Sequence, residues 1–175
     1  MRKIGKNDFI SGKIVEVEAY MGDHDPACHA YKKITGRSST LYEDSGTIYV
    51  YFIYGNYYCF NIVTEKKGIG SAVLIRAVEP LEGIDIIKEY RPKVKSIHDL
   101  TNGPSKFCLA FDIDKKFNGK KLSEEGVYIS YPRKEEKFEI GTSKRIGIVK
   151  GVEYPYRFFI KNNPFVTKHK FNKTI

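Results

Sequence analysis

Apolar and polar residues alternate along residues 12–20, a pattern that is typical of a β-strand with one buried face. The alternation places Val15 and Val17 on one face of this strand, and Glu16 and Glu18 on the other. A carboxylate on a half-buried strand is a candidate general base, and Glu18 also adjoins a loop that bears histidines. The alternative interpretation is a surface glutamate that faces water, and the pattern gives Glu16 no special role.

Two β-rich runs joined by a short turn form the clearest local signal in the chain. They lie within residues 47–64, and the dipeptide Gly55-Asn56 between them favours a tight hairpin turn. Tyr54 and Tyr57 flank this turn, where an apolar ring would be in contact with water. Such a ring either stacks on nucleic-acid bases or is an ordinary aromatic neighbour of a turn.

The rest of the pattern predicts a mixed fold with few helices. Strands are expected at 71–78 and near 126–130, 144–149 and 156–161, and helices at 80–90 and 104–111. Residues 21–46 are predicted to form a long loop, which in a compact domain usually has a function. The pattern as a whole predicts one α+β domain over residues 1–175, with a curved, mostly antiparallel sheet like an open barrel and a protruding β-hairpin.

Composition excludes several classes of protein. Apolar residues make up 41% of the 175 residues, so the chain is not wholly disordered. No apolar run approaches the ~18 residues of a membrane-spanning helix, and the N-terminus has no signal-peptide core. We therefore expect a cytoplasmic protein with no membrane partner. The three cysteines are scattered, which favours reduced thiols over a disulfide framework.

Positive charge is concentrated in the second half of the chain. The formal net charge is +9, yet residues 1–88 are neutral overall, and residues 89–175 hold 19 basic and 10 acidic residues. A one-sided basic balance favours a polyanionic partner, most often a nucleic acid. A lysine-rich surface in contact with water would produce the same balance, so charge alone leaves both interpretations open.

Two polar side chains lie inside apolar strands and therefore need partners. Arg76 interrupts the apolar run 72–78, and a guanidinium there is costly unless it is paired. Glu18 is a partner of the right type. The amide of Asn61, within an aromatic and aliphatic strand, likewise needs hydrogen bonds.

No metal or cofactor is expected from the motifs. His24, Cys28 and His29 match none of the recognised zinc spacings, and His29 fits a neutral donor or a stacking ring better. The chain also lacks a phosphate-binding P-loop and a nucleophile elbow.

Seven short segments occur in an order and at a spacing that is specific as a set. They are Ile14–Tyr20, His29, Gly46–Gly55, Tyr58–Ile62, Val73–Gly83, Gly103–Lys106 and Arg145–Ile148. This ordered set, which spans almost the whole chain, resembles the alkyladenine (3-methyladenine) DNA glycosylase family. Each segment alone is a weak signal.

The resemblance implies a monomeric DNA repair enzyme without a cofactor. Such an enzyme flips a damaged purine out of double-stranded DNA and hydrolyses its N-glycosidic bond, without lyase activity. The implied lesions are 3-methyladenine, 7-methylguanine, hypoxanthine and ethenoadenine. Glu18 corresponds to the base that activates water, and Arg76 and the backbone carbonyl of Ile146 to groups that hold this water.

The resemblance also implies which residues bind the substrate. Tyr20, His29 and Tyr51 correspond to an aromatic slot around the flipped base. Asn61 corresponds to a residue that disfavours guanine by a clash with its exocyclic amine.

Contacts with DNA are implied at three further positions. Tyr54 corresponds to the wedge that fills the vacated stack, and Lys115 and the Gly147 backbone to contacts with the DNA backbone. One departure concerns the N-terminus, because only 17 residues precede Glu18. The chain is therefore expected to be truncated relative to the family, with room for one short hairpin there.

Two other functions remain open at this stage. A non-catalytic nucleic-acid-binding barrel would use the tyrosine-rich hairpin as a stacking platform, but it would not need Arg76 or Asn61. A nucleoside hydrolase that acts on small molecules would not need the basic second half of the chain.

Overall fold

The described residues form seven strands and two short helices, which confirms the predicted α+β fold with its curved, open sheet. The computed structural model describes residues 1–173 except 7, 33, 125 and 133. The strands are β1 (Arg2–Lys3), β2 (Phe9–Met21), β3 (Ile48–Ile53), β4 (Tyr57–Val63), β5 (Ser71–Glu82), β6 (Ile140–Ser143) and β7 (Arg157–Ile160). The helices are α1 (Ile84–Tyr90) and α2 (Pro104–Ala110). All strand pairs are antiparallel, in the order β3-β4-β5-β2-β7-β6, and β1 pairs with β2 as a short N-terminal hairpin.

The central strand β2 does not follow the simple alternation that its sequence predicts. Its register against β5 shifts on both sides of Glu16. An irregularity of this kind re-aims the side chains that follow it. As a result Val15 and Glu16 are both buried although they are adjacent, Glu18 is buried as well, and Ile14 is exposed.

The helix predicted over 80–90 is present, but the prediction of its first residue is wrong. Strand β5 continues through Pro80 to Glu82, and the helix begins only at Ile84. Pro80 lies opposite Gly12, next to a register shift, and a strand tolerates proline at such a position. Leu81 is 56% exposed, so it belongs to no buried helix face.

Two of the later predicted strands are also wrong. Near 126–130 the described residues form only an isolated bridge between Val127 and Arg2. The strand expected at 144–149 lies earlier, as β6, and the residues that follow it form a loop. The hairpin, the strand near 156–161 and the helix near 104–111 are confirmed as β3–β4, β7 and α2.

The main apolar core lies between the sheet and the two helices. It includes Phe60 of β4, Ile75 of β5 and Phe107 of α2, and the Phe60 and Phe107 rings meet edge to face with centroids 5.9 Å apart. A second buried cluster is formed by β2, β5, β7 and the residues after β7, and it consists of Val15, Ala77, Phe159, Ile160, Phe165 and Val166. In the part of the chain that the structure describes, no helix is long and apolar enough to cross a membrane.

Gly83, between β5 and α1, supplies a test of this architecture. Its φ of +69° is left-handed, and an added Cβ would lie 2.6 Å from the Phe9 carbonyl oxygen. We expect Gly83→Ala to destabilise the protein by more than the ~1–2 kcal/mol that a left-handed residue costs by itself. Urea denaturation measures the loss.

Two other glycines serve as controls for this prediction. Gly46 has a φ of +79° but open space around its Cβ position, and Gly36 has open space and no left-handed φ. Gly46→Ala should therefore lower the free energy of unfolding only by the cost of the left-handed conformation. Gly36→Ala should lower it little or not at all. Equal losses for Gly83→Ala and Gly46→Ala would contradict the assigned close approach.

Candidate functional site

A cleft of about 650 Å³ opens where the β3–β4 hairpin, the long loop after β2, the start of α2 and the loop at 145–151 meet. Eight of the ten residues predicted for the site line this cleft: Tyr20, His29, Tyr51, Tyr54, Asn61, Arg76, Ile146 and Gly147. Glu18 lies behind the wall, and Lys115 lies outside the cleft in a 3-10 turn beside β3. Residues that were predicted to form one site, and that are up to 127 positions apart in the sequence, therefore lie around one cleft.

Glu18 is fully buried behind the wall that Tyr20, Arg76 and Ile146 form. Its Oε1 accepts a hydrogen bond from the Ile146 amide at 2.7 Å and lies 3.3 Å from Arg76 Nη1. Its Oε2 accepts a hydrogen bond from the Tyr20 hydroxyl at 2.9 Å. The Ile146 N–H thus contacts Glu18, and the role predicted for the Ile146 carbonyl, to hold the attacking water, stays a prediction. Two hydrogen-bond donors and the Arg76 guanidinium therefore hold the carboxylate in one orientation.

Glu16 is the buried partner of Arg76 that the sequence pattern did not single out. Its Oε1 accepts from Arg76 Nε at 2.8 Å and from Arg157 Nε at 2.7 Å. Burial by itself would raise the pKa of Glu16, but Arg76 and Arg157 outweigh it and hold that pKa below its ordinary value. Glu16 is therefore charged, and it joins β2, β5 and β7 behind the cleft.

Arg157 has the same sequence signal as Arg76. It precedes Phe158, Phe159 and Ile160 in a short apolar strand, so its guanidinium needs a buried partner. The argument that singled out Arg76 would also have found Arg157. Glu16 was missed because the register shift beside it is invisible in the alternation.

A cluster of aromatic rings forms one wall of the cleft. The His29 and Tyr51 ring centroids lie 4.6 Å apart at 71°, and those of Tyr49 and Tyr51 lie 5.4 Å apart. His29 Nδ1 is 2.9 Å from the Tyr49 hydroxyl. Desolvation and the nearby Arg37 lower the pKa of His29, which favours its neutral form. Tyr49 is a member of this wall that the sequence pattern did not assign.

A buried ion pair holds the loop that carries Ile146. The Arg145 guanidinium forms two hydrogen bonds to the Asp25 carboxylate, one of them 2.7 Å long, and others to the Ala19 and Gly151 carbonyls. Its Cζ lies 4.6 Å from the Tyr20 ring centroid. The pair thus links the loop after β2 to the loop at 145–151. Neither partner was predicted.

Asn61 and Tyr54 occupy opposite extremes of exposure in the hairpin. Asn61 is buried, and its Nδ2 donates to the Tyr49 carbonyl at 3.1 Å. Tyr54 is 79% exposed at the tip, between β3 and β4. The predicted two-residue turn is instead a three-residue loop, 54–56, because Ile53 pairs with Tyr57, and its left-handed residues are Tyr54 (φ 52°) and Gly55 (φ 74°).

Besides Arg76, three basic side chains line the cleft: Arg37, Lys106 and Lys150. Two of them come from the basic second half of the chain, and Arg37 comes from the neutral first half. Among the described residues, no three His, Cys, Asp or Glu side chains converge as a metal site would require. The thiols of Cys28, Cys59 and Cys108 are buried and free.

Comparison with known proteins confirms the predicted family. The model of the methylpurine-DNA glycosylase family matches residues 1–164. A protein of Alkaliphilus oremlandii is 46% identical over 174 residues, which cover 93% of this chain and 86% of the relative. A protein of Francisella tularensis subsp. tularensis is 47% identical over 165 residues, which cover 93% and 84%.

A third relative, from Clostridium perfringens, is 47% identical over 173 residues, which cover 91% of this chain and 84% of that protein. All three relatives bear the provisional name of a 3-methyladenine DNA glycosylase. The chain belongs to the methylpurine-DNA glycosylase family and is a DNA glycosylase, a hydrolase of N-glycosyl bonds.

Proposed function

We propose that the protein is a monomer that flips alkylated or deaminated purines out of double-stranded DNA and hydrolyses their N-glycosidic bond with water that Glu18 activates. The observation that carries this proposal is the placement of Glu18. Its carboxylate is fixed by Tyr20, Arg76 and the Ile146 amide directly behind an aromatic cleft. A positioned carboxylate beside a cleft that is large enough to hold a base fits hydrolysis better than simple binding.

The aromatic wall explains which bases the cleft would take. His29 and Tyr51 offer ring faces for stacking, and alkylated purines such as 3-methyladenine and 7-methylguanine carry positive charge in DNA. A cation above an aromatic face gains about 0.5–2 kcal/mol. Hypoxanthine and ethenoadenine are neutral and would bind by stacking alone. Asn61 would exclude guanine through its exocyclic amine.

Glu18 is suited to take a proton from the attacking water. Oε1 accepts a hydrogen bond from the Ile146 amide and faces the Arg76 guanidinium. Among the described residues, Oε2 accepts only from the Tyr20 hydroxyl, so it keeps an acceptor position for this water. Burial and the neighbouring Glu18 raise the pKa of Tyr20, which keeps the phenol protonated as a donor. The water oxygen bonds to the sugar C1′, and the C1′–N bond electrons leave with the base.

The negative charge of Glu18 would also stabilise the positive charge that develops on the sugar as the base leaves. Water is the nucleophile, so no covalent intermediate with a lysine forms and no strand cleavage follows. Two cleft lysines, Lys106 and Lys150, come from the start of α2 and from the loop at 145–151. We assign them to phosphate contacts, together with Lys115 and the Gly147 backbone.

Replacing Glu18, the proposed general base, tests its catalytic assignment. Glu18→Gln should lower single-turnover release of hypoxanthine or ethenoadenine from a duplex by about 10²–10⁴-fold, the usual size of a general-base effect. The Kd for the same duplex should change little. The exposed Glu65 serves as the control, and Glu65→Gln should behave like the parent. Equal release by parent and Glu18→Gln would refute the role of Glu18.

Replacing Tyr54 tests the wedge. Tyr54→Ala should raise the Kd for a lesion-bearing duplex about tenfold, because loss of one base–aromatic stack costs about 1–3 kcal/mol. The fluorescence of a 2-aminopurine placed beside the lesion should report less flipping. Tyr131, which is 95% exposed and does not line the cleft, is the control. If Tyr131→Ala weakens binding as much, the wedge assignment fails.

The salt dependence of binding tests the lysines. Lys115→Ala and Lys150→Ala should each reduce the slope of log K against log salt by about 0.9, the value for one lost phosphate contact. Lys88, whose charge is paired with Asp85 at 3.2 Å, is the control. An unchanged slope for Lys115→Ala would remove Lys115 from the DNA contacts.

A further inference from the structure

The last described residues reach the buried charges behind the cleft. Residues 165–173, the C-terminal strap, begin with Phe165 and Val166, which are buried in the same apolar cluster as Val15. The match to the family model ends at residue 164, just before this strap. The amide of Thr167 then donates a hydrogen bond to Glu16 Oε2 at 2.8 Å.

Asn172 attaches the strap at a second point. Its Oδ1 accepts from Arg157 Nη2 at 2.9 Å, and its Nδ2 donates to the Thr167 carbonyl at 3.0 Å. Thr167 also lines the cleft and lies 3.4 Å, through Oγ1, from the Asn102 carbonyl. The strap is therefore bonded to both members of the Glu16–Arg157 pair and reaches the cleft.

The two oxygens of Glu16 have different partners. Oε1 accepts from two guanidinium groups, those of Arg76 and Arg157, and Oε2 accepts from the Thr167 amide. A carboxylate and an arginine frequently form a parallel, two-bond pair that uses both oxygens. The Thr167 amide fixes Oε2 on the side of the strap, so Arg76 binds Glu16 through Nε alone. Its Nη1 is thus left 3.3 Å from Glu18.

We propose that the C-terminal strap is a positioning element of the reaction, in which the Thr167 amide holds Glu16 so that Arg76 reaches Glu18. This inference rests on the proposed role of Glu18. Without the Thr167 donor, Glu16 turns both oxygens toward Arg76 and draws the guanidinium away from Glu18. Glu18 then loses its ion-pair contact with Arg76, and with it part of its fixed orientation.

The inference changes what is expected of the basic C-terminus. Charge alone suggests that Lys168, Lys170 and Lys173 only grip phosphates, so that loss of the strap would weaken binding and leave excision from saturated complexes unchanged. The contacts of Thr167 and Asn172 lead to the opposite expectation for excision.

Thr167→Pro is the direct test, because proline lacks the amide hydrogen. With enzyme in excess, single-turnover release from a duplex containing hypoxanthine should fall about 10–100-fold. The Kd for a duplex with a tetrahydrofuran abasic analogue should stay within about threefold, since the hairpin and the cleft lysines are unchanged. Ile160→Ala, which removes packing from the same apolar cluster, is the stability control. At a temperature below the melting temperatures of both Thr167→Pro and Ile160→Ala, the Ile160→Ala variant should excise hypoxanthine at the parent rate.

A double-mutant cycle separates positioning from stability, because residues that act through one another are not additive. Glu16→Gln should itself slow excision, and in that background Thr167→Pro should slow it by less than about twofold further. Asn172→Ala is a second variant, and it should lower the single-turnover excision rate by about 3–10-fold. In the Glu16→Gln background its effect should also be smaller than in the parent.

Three outcomes have distinct meanings. An active parent whose Thr167→Pro variant excises at the parent rate overturns the positioning role. The positioning role is also overturned if Thr167→Pro slows excision by the same factor in the parent as in the Glu16→Gln background, or if Ile160→Ala slows excision as much as Thr167→Pro does at matched stability. A parent that releases no base refutes the proposed function instead of the role of the strap.

Discussion

One carboxylate oxygen shared by two buried guanidinium groups is the constraint around which the structure is organised. Glu16 contacts Arg76 and Arg157 without access to water, and a buried charge that loses such a partner costs about 3–5 kcal/mol. The strands β2, β5 and β7 must therefore keep their relative positions for these charges to remain paired. The same positions place Glu18 behind the cleft. Stability and the chemistry of the site thus depend on one set of contacts.

Much of the fold could be predicted from sequence because local patterns carry it, and most of the cleft because the ordered motifs resemble a known family. The β3–β4 hairpin has β-rich runs around a turn, and Arg76 stands out as a charge within an apolar strand. The register shifts beside Glu16 could not be predicted, because they depend on how β2 pairs with a strand some 60 residues away. The Asp25–Arg145 pair was missed for a related reason, since a loop pairing leaves no periodic signal.

The errors in the secondary structure have a common physical origin. Pro80 looked like the start of a helix, but pairing with β2 extends β5 past it. Similarly, the apolar residues of 144–149 looked like a strand, but the Arg145 ion pair and the Ile146 hydrogen bond hold them in a loop. In both cases long-range contacts outweigh the local propensity.

The left-handed backbone at Tyr54 has an energetic cost, which is met during folding rather than during binding. A non-glycine residue in this conformation is strained by about 1–2 kcal/mol, and folding meets that cost before any DNA is bound. The ring stands outward on a short, paired hairpin, so the backbone would lose little freedom if the ring enters a base stack as proposed. A probe with such a backbone would suit rapid inspection of many undamaged base pairs, because each encounter would require the DNA, rather than the backbone of the protein, to change shape.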